Sequence, residues 1–169
     1  MNQSEFSTRL LPMKDKIFRF ARSIVSDEAE AEDITQDIYE KLWIRRDTLE
    51  QCTNLEGFVM SSVRNLCYDR LRNRQMKAGK MDSIKSETPG YTTGFSADTL
   101  DMKEIIGRLI EALPEKQRIV IHLRDIEGFE IDAIAETVDM EVATVRVVLS
   151  RARKALREEL TKIMDYGIR

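Results

Sequence analysis

VATVRVVLSRARKALREEL, residues 142–160, sorts apolar and basic side chains onto opposite sides of a helix. At about 3.6 residues per turn, Val145, Val148, Leu149, Ala152, Leu156 and Leu160 fall along one stripe. Arg146, Ser150, Arg153, Lys154 and Arg157 cluster opposite, with Arg151 at their flank. An apolar stripe of this kind docks into a core. The outward row of cations suits a polyanion, as on a helix that lies in a DNA major groove. A shorter helix precedes it over residues 130–137, marked by Ile131, Ile134, Ala135 and Val138. Ala135 leaves room for the second helix to cross, and Asp139 sits at the bend, where Asp tolerates a left-handed backbone less well than Gly. Glu141 is a weaker helix start than Ser, Thr, Asp or Asn. The pattern predicts a helix-turn-helix, with a helical hairpin bearing a solvated face as the plain alternative.

Charge placement bears on that choice. The formal net charge is -3 and the isoelectric point is near 5.4, which argues against indiscriminate nucleic-acid binding. Residues 142–169 nevertheless carry 7 basic and 3 acidic groups, and residues 51–77 carry 5 and 2, so two basic islands stand in an acidic chain. A two-point grip on one anion accounts for them, as does chance segregation in a charge-rich helical protein.

At 169 residues the chain holds one domain or two small ones. Few prolines and glycines leave long helical windows, and no alternating β-branched run competes with them. No apolar stretch approaches the ~18–20 residues of a membrane span, and no leader pattern opens the chain, so a cytoplasmic protein is expected. Cys52 and Cys67 lack metal-ligand spacing, His122 stands alone, and no phosphate loop or nucleophile motif is present. The expectation is a non-enzyme with no metal, cofactor or small-molecule substrate.

Residues 78–100, AGKMDSIKSETPGYTTGFSADTL, replace helical periodicity with Gly, Ser, Thr and Pro and read as a flexible linker. Stretched at ~3.3 Å per residue it reaches about 75 Å. The predicted fold is therefore all-α, two small helical domains at 6–77 and 101–165 joined by this linker. In the first, a helix over 6–25 buries Phe6, Leu10, Ile17, Phe20, Ala21 and Ile24, with Pro12 tolerated if the helix starts near Leu11. Ser26 or Asp27 caps a second helix that runs to Arg46 and buries Ile34, Ile38 and Leu42. Its outward Asp33, Gln36, Asp37 and Glu40 form an acidic face, ordinarily a solvated one, although the like-charged Asp33 and Asp37 repel at i,i+4. Asn54 caps a third helix over 55–77 with Val59, Val63, Leu66 and Cys67 inward. Ser61, Arg64, Asn65, Tyr68 and Arg72 share another face, and Arg74 and Lys77 extend its charge. Cations, an aromatic ring and an amide suit unstacked bases, but Arg and Asn also read duplex grooves.

Three blocks, AEDITQDIYEKLW (31–43), NLEGFVMSSVRNLCYDRLRNR (54–74) and LPEKQRIVIHLRDIEGFEIDAIAETVDMEVATVRVVLSRARKALREEL (113–160), together resemble the sigma-70 family of bacterial RNA polymerase sigma factors, in its extracytoplasmic-function (ECF) group. The resemblance implies a sigma domain 2 and a sigma domain 4 that bind core polymerase and direct promoter-specific initiation. It places Asp33, Gln36, Asp37 and Glu40 on the clamp helices of the largest polymerase subunit. It assigns Arg64, Asn65, Tyr68, Arg72, Arg74 and Lys77, with the loop 49–53, to melting the −10 element and capturing a flipped base. Arg146, Val147, Ser150, Arg151, Arg153 and Arg157 fall on the −35 reader. It also implies promoter DNA and an anti-sigma protein as partners. Asp139, Glu141 and Ala143 stand where the family usually or often has Gly, Ser and Gly. Val147 stands where polar or basic residues are commoner, either to meet a thymine methyl or to cover the helix flank. Two alternatives are a stand-alone helix-turn-helix regulator with a ligand-binding or dimerising first domain, and a protein-binding adaptor.

Overall fold

The computed structural model describes residues 1–79 and 101–167, and side chains through 165. Residues 80–100, most of the stretch read as a linker, lie outside the described residues. All the regular elements described are helical. The first is not the single helix expected from 6–25. Helix α1 (Gln3–Leu10) starts earlier because Asn2 Oδ1 accepts from Glu5 N and the Glu5 carboxylate accepts from Asn2 N, at 2.9 and 3.0 Å, closing a capping box. A 3-10 turn, Leu11–Met13, then carries Pro12 before α2 (Lys14–Val25) begins. Proline cannot donate to a continuing ladder, so the chain tightens there and resumes.

Helix α2 ends on Ser26 at φ 56°, and Asp27 caps α3 (Glu28–Ile44) by accepting from Glu30 N. The second helix stops short of Arg46, and a four-residue helix α4 (Arg46–Leu49) follows. The long α5 (Leu55–Lys77) keeps its expected limits. Asn54 Oδ1 accepts from Gly57 N at 3.0 Å, and a Cβ at Gly57 would collide with that Asn54 amide. Phe6, Leu10, Ile17, Phe20, Ile34, Ile38, Val59 and Val63 are buried among these helices, as the periodicity predicts.

In the second half, α6 (Met102–Glu111) and α7 (Glu115–Ile121) lead into a π turn, His122–Ile126. Such turns insert a residue into the ladder; here Glu127 N donates to His122 O and Phe129 N to Leu123 O. Helix α8 (Ile131–Val138) ends on Asp139 at φ 54°, ψ 53°, the left-handed bend expected at that position. Helix α9 (Val142–Gly167) is longer than the periodic stretch that announced it. Val145, Leu149 and Ala152 are buried on its inner face.

The two halves share one core. Phe20 of α2 stacks on His122 of the π turn, with ring centroids 6.1 Å apart. Helices α5 and α8 also pack together, and a single buried cluster runs from Phe6 to Ala152. Polar contacts line the seam. Arg19 Nε and Nη2 donate to the two Glu127 carboxylate oxygens at 2.8 and 3.1 Å. His122 Nε2 lies 3.3 Å from Glu127, and Arg118 Nε donates to Ser23 O at 2.5 Å.

Burial pushes the Glu127 carboxyl up, but the hydrogen bonds and charges of His122 and Arg19 outweigh it and hold it at about 2, against an ordinary 4.5. A carboxylate depressed in the folded state stabilises fully above its unfolded value, and that contribution is lost as pH falls toward the folded value. The Glu127 side chain is 2% exposed, so the difference corresponds to about 3 kcal/mol. Glu127→Gln is therefore expected to unfold more easily than the parent by up to that amount at pH 7. The gap should close between pH 4.5 and 2 in urea titrations at stepped pH; a pH-independent gap would contradict the pairing.

Candidate nucleic-acid interface

The outward face of α9 carries Arg146, Ser150, Arg151, Lys154 and Arg157, all exposed. Among the described residues Arg146, Arg151, Lys154 and Arg157 have no ion-pair partner, so their charge is available to an external anion. Val147 stands beside them and is 48% exposed, outside the core, while its neighbour Val148 packs partly against it. Arg153 differs. Its guanidinium donates to both Asp125 oxygens at 2.6 and 3.1 Å, which braces α9 against the π turn and raises its pKa. Helical periodicity grouped Arg153 with the free cations because Asp125 lies on another element.

The α5 residues expected to act together divide between two sides of the helix. Arg64 lies over the Tyr68 ring, 5.1 Å from its centroid. Both line a cleft whose other wall is Lys116, Ile119, Val120 and the Val138–Met140 turn. Burial first, then a hydrogen bond to Glu115, pushes the Tyr68 hydroxyl up to about 12. Asn65 is exposed and turns the other way, into an open cleft of about 410 Å³ between α3 and α5. Ile38, Ile44, Arg45, Phe58 and Leu66 share that cleft, and none of residues 49–53 lines it. An amide among apolar and aromatic walls, with Lys41, Arg45 and the Asp69 carboxylate also lining the cleft, can hold a base. Phe58 and Ile44 went unnoticed in the sequence; their signal is two large apolar residues off the buried stripe, 37% and 70% exposed. Arg72 and Lys77 are exposed, and Arg74 pairs with Glu30.

The acidic face of α3 also has a partner that sequence reasoning missed. Arg70 of α5 donates to Asp33 at 2.7 Å and to Asp37. That guanidinium offsets the i,i+4 repulsion and is itself raised in pKa, chiefly by its Asp33 hydrogen bond. Gln36 and Glu40 remain exposed beside it. The unrelieved Asp33 and Asp37 charges were the available hint of a cation opposite. Cys67 is buried, and burial pushes its thiol up to about 12, which leaves it unreactive. Cys52 is a second free thiol.

A helix-turn-helix whose second helix carries cations unpaired among the described residues, together with an open α3–α5 cleft, coincides with two family matches. The model for Sigma-70 region 2 matches residues 12–76, and that for Sigma-70, region 4 matches residues 103–156. The chain belongs to the sigma-70 family of RNA polymerase sigma factors. ECF RNA polymerase sigma factor SigW of Bacillus subtilis (strain 168) is 27% identical over 170 residues, covering 94% of this chain and 90% of that protein. RNA polymerase sigma-E factor of Streptomyces coelicolor is 26% identical over 156 residues, covering 92% and 86%. The solved structure of RpoE from Bartonella quintana, in complex with the anti-sigma factor NepR, superposes with a TM-score of 0.74 at 26% identity, covering 93% of this chain and 97% of that one. This sigma factor is of the ECF kind and recognises promoters for RNA polymerase. The stand-alone regulator finds no support among these likenesses. Among the described residues no helix of the sigma factor is long and apolar enough to cross a membrane.

Proposed function

We propose that residues 6–77 form the part of this sigma factor that docks on core polymerase and opens the −10 element. Residues 101–165 read the −35 element, and 78–100 join the two. The observation that carries this assignment is the separation of three exposed faces: acidic on α3, amide and aromatic in the α3–α5 cleft, cationic on α9. Asp33, Gln36, Asp37 and Glu40 meet the clamp helices of the largest polymerase subunit. Arg146, Val147, Ser150 and Arg151 reach base edges and nearby phosphates in the major groove, and Arg157 meets phosphate further along. Arg153 joins them only after leaving Asp125. Asn65, walled by Phe58 and Ile44, takes a base that has left the stack, at a cost of a few kcal/mol that the cleft and the cations Arg72, Arg74 and Lys77 offset. Arg64 and Tyr68 act on the same strand once exposed.

The factor works without catalysing a reaction, in the cytoplasm where polymerase is. The likeness to RpoE bound to NepR supports an anti-sigma protein as a further partner. Two measurements test the assignment. The purified chain should co-sediment with core polymerase. Asn65→Ala should then lower promoter opening about tenfold, read as permanganate reactivity of unpaired thymines, with little change in initial binding. Equal loss of binding and opening would place Asn65 outside the capture step.

A further inference from the structure

Resting on the assignment of residues 101–165 to the −35 element, we infer that Val147 determines the identity of one base in that element. Its exposed methyl groups pack on the C5-methyl of a thymine at the floor of the major groove.

The buried Val145, Leu149 and Ala152 mark the inner side of α9. At about 100° per residue, Val147 points within about 20° of the opposite direction. It therefore stands at the pole of the outward face and not on the helix flank. Val142 and Val148 do the covering, since both are partly buried against the core. Val147 lies outside that cluster and is 48% exposed. Its side chain adds little to the fold and is open to an external partner.

Ala143 and Ser150 share the outward pole with Val147, about one turn before and one turn after it, and both are exposed. Three short side chains in line let the helix backbone come close to the base edges, as a row of long ones would not. Arg146 and Arg151 diverge to either side of this strip, about 140° apart. Both are exposed and without an ion-pair partner among the described residues. They can hold polar groups on the two walls of the groove while the strip meets its floor.

Valine offers neither donor nor acceptor. Pressed against it, the N7 and O6 of guanine, the N7 and amine of adenine or the amine of cytosine lose water without replacement. Thymine is the base that carries a methyl group into the major groove. Methyl against methyl removes apolar surface from water on both partners. The contact favours thymine by burial and disfavours the other three bases by desolvation.

Selection by core polymerase carrying the full chain tests this. Two DNA libraries are randomised at the upstream element, one made with thymidine and one with deoxyuridine in its place, and the bound fragments are sequenced. Deoxyuridine pairs as thymidine does and lacks the C5-methyl. The parent should prefer thymine at one position, and that preference should fall about fourfold in the deoxyuridine library, the effect of one buried methyl group. Val147→Ala should weaken the preference at the same position and treat both libraries alike, while Val147→Ile should keep the dependence on the methyl. Both variants change an exposed residue outside the core, so the fold is left intact. Equal preference in both libraries for the parent, or a methyl effect that survives Val147→Ala, overturns the inference and leaves the −35 assignment standing. If the parent selects no upstream element at all, the −35 assignment falls and this inference falls with it.

Discussion

Replacing Asp33 and Asp37 together by lysine is expected to abolish capture of core polymerase, with a loss of at least about 100-fold, roughly 3 kcal/mol. Both carboxylates are accessible, 57% and 36% exposed, and lie on the acidic face of α3. Reversing two charges at an electrostatically matched contact sets like against like, which costs several kcal/mol. Their pairing with Arg70 makes the variant more than a surface change, since two lysines would confront that guanidinium. Exposed ion pairs contribute no more than about 1 kcal/mol each, so the helices should persist, checked by far-ultraviolet circular dichroism. Arg70→Ala separates the two effects. It frees both aspartates and should keep or strengthen polymerase binding in a co-sedimentation assay. A double lysine variant that still co-sediments would remove α3 from the polymerase contact.

Arg146→Ala should cost about 1–3 kcal/mol on the preferred −35 sequence and relax the preference there. Arg146 stands in the first turns of α9, exposed and without an ion-pair partner among the described residues. The amino-terminal residues of a recognition helix are those that reach base edges. Lys154→Ala, two turns along, should instead weaken binding uniformly and reduce the salt slope by about 1. Initiation from a library randomised at the upstream element distinguishes the two patterns. An Arg146→Ala variant with unchanged sequence preference would mean that this residue meets only phosphate.

Local rules carried much of the fold. The limits of α5 followed from Asn54 and a long run free of proline, with Gly57 confined to its first turn. The bend at Asp139 followed from a short break, Asp139 to Glu141, between two periodic stretches. The break at Pro12 was marked by its residue type, but the earlier start of α1 needed the pairing of Asn2 with Glu5, which a pattern centred on Phe6 overlooks. The α9 face was legible because period and charge coincide on one element. What lay beyond reach is whatever spans elements. Arg153 looked free until Asp125 came beside it, and Asp33 and Asp37 looked unpaired until Arg70 did. Arg64 and Asn65 are adjacent in sequence, but about 100° apart around the helix, and the structure sends one toward α8 and the other toward α3. His122 and Glu127 form no motif. Only the π turn and the packing of the halves bring them to Arg19.

Run-off transcription with core polymerase and a genomic DNA library, with and without the chain, tests most directly that this sigma factor directs initiation through two DNA contacts. Start sites that depend on the protein, each preceded by the same two spaced elements, are the predicted result. Polymerase selectivity unaltered by the protein, alongside tight binding of the protein alone to a palindrome, would contradict it.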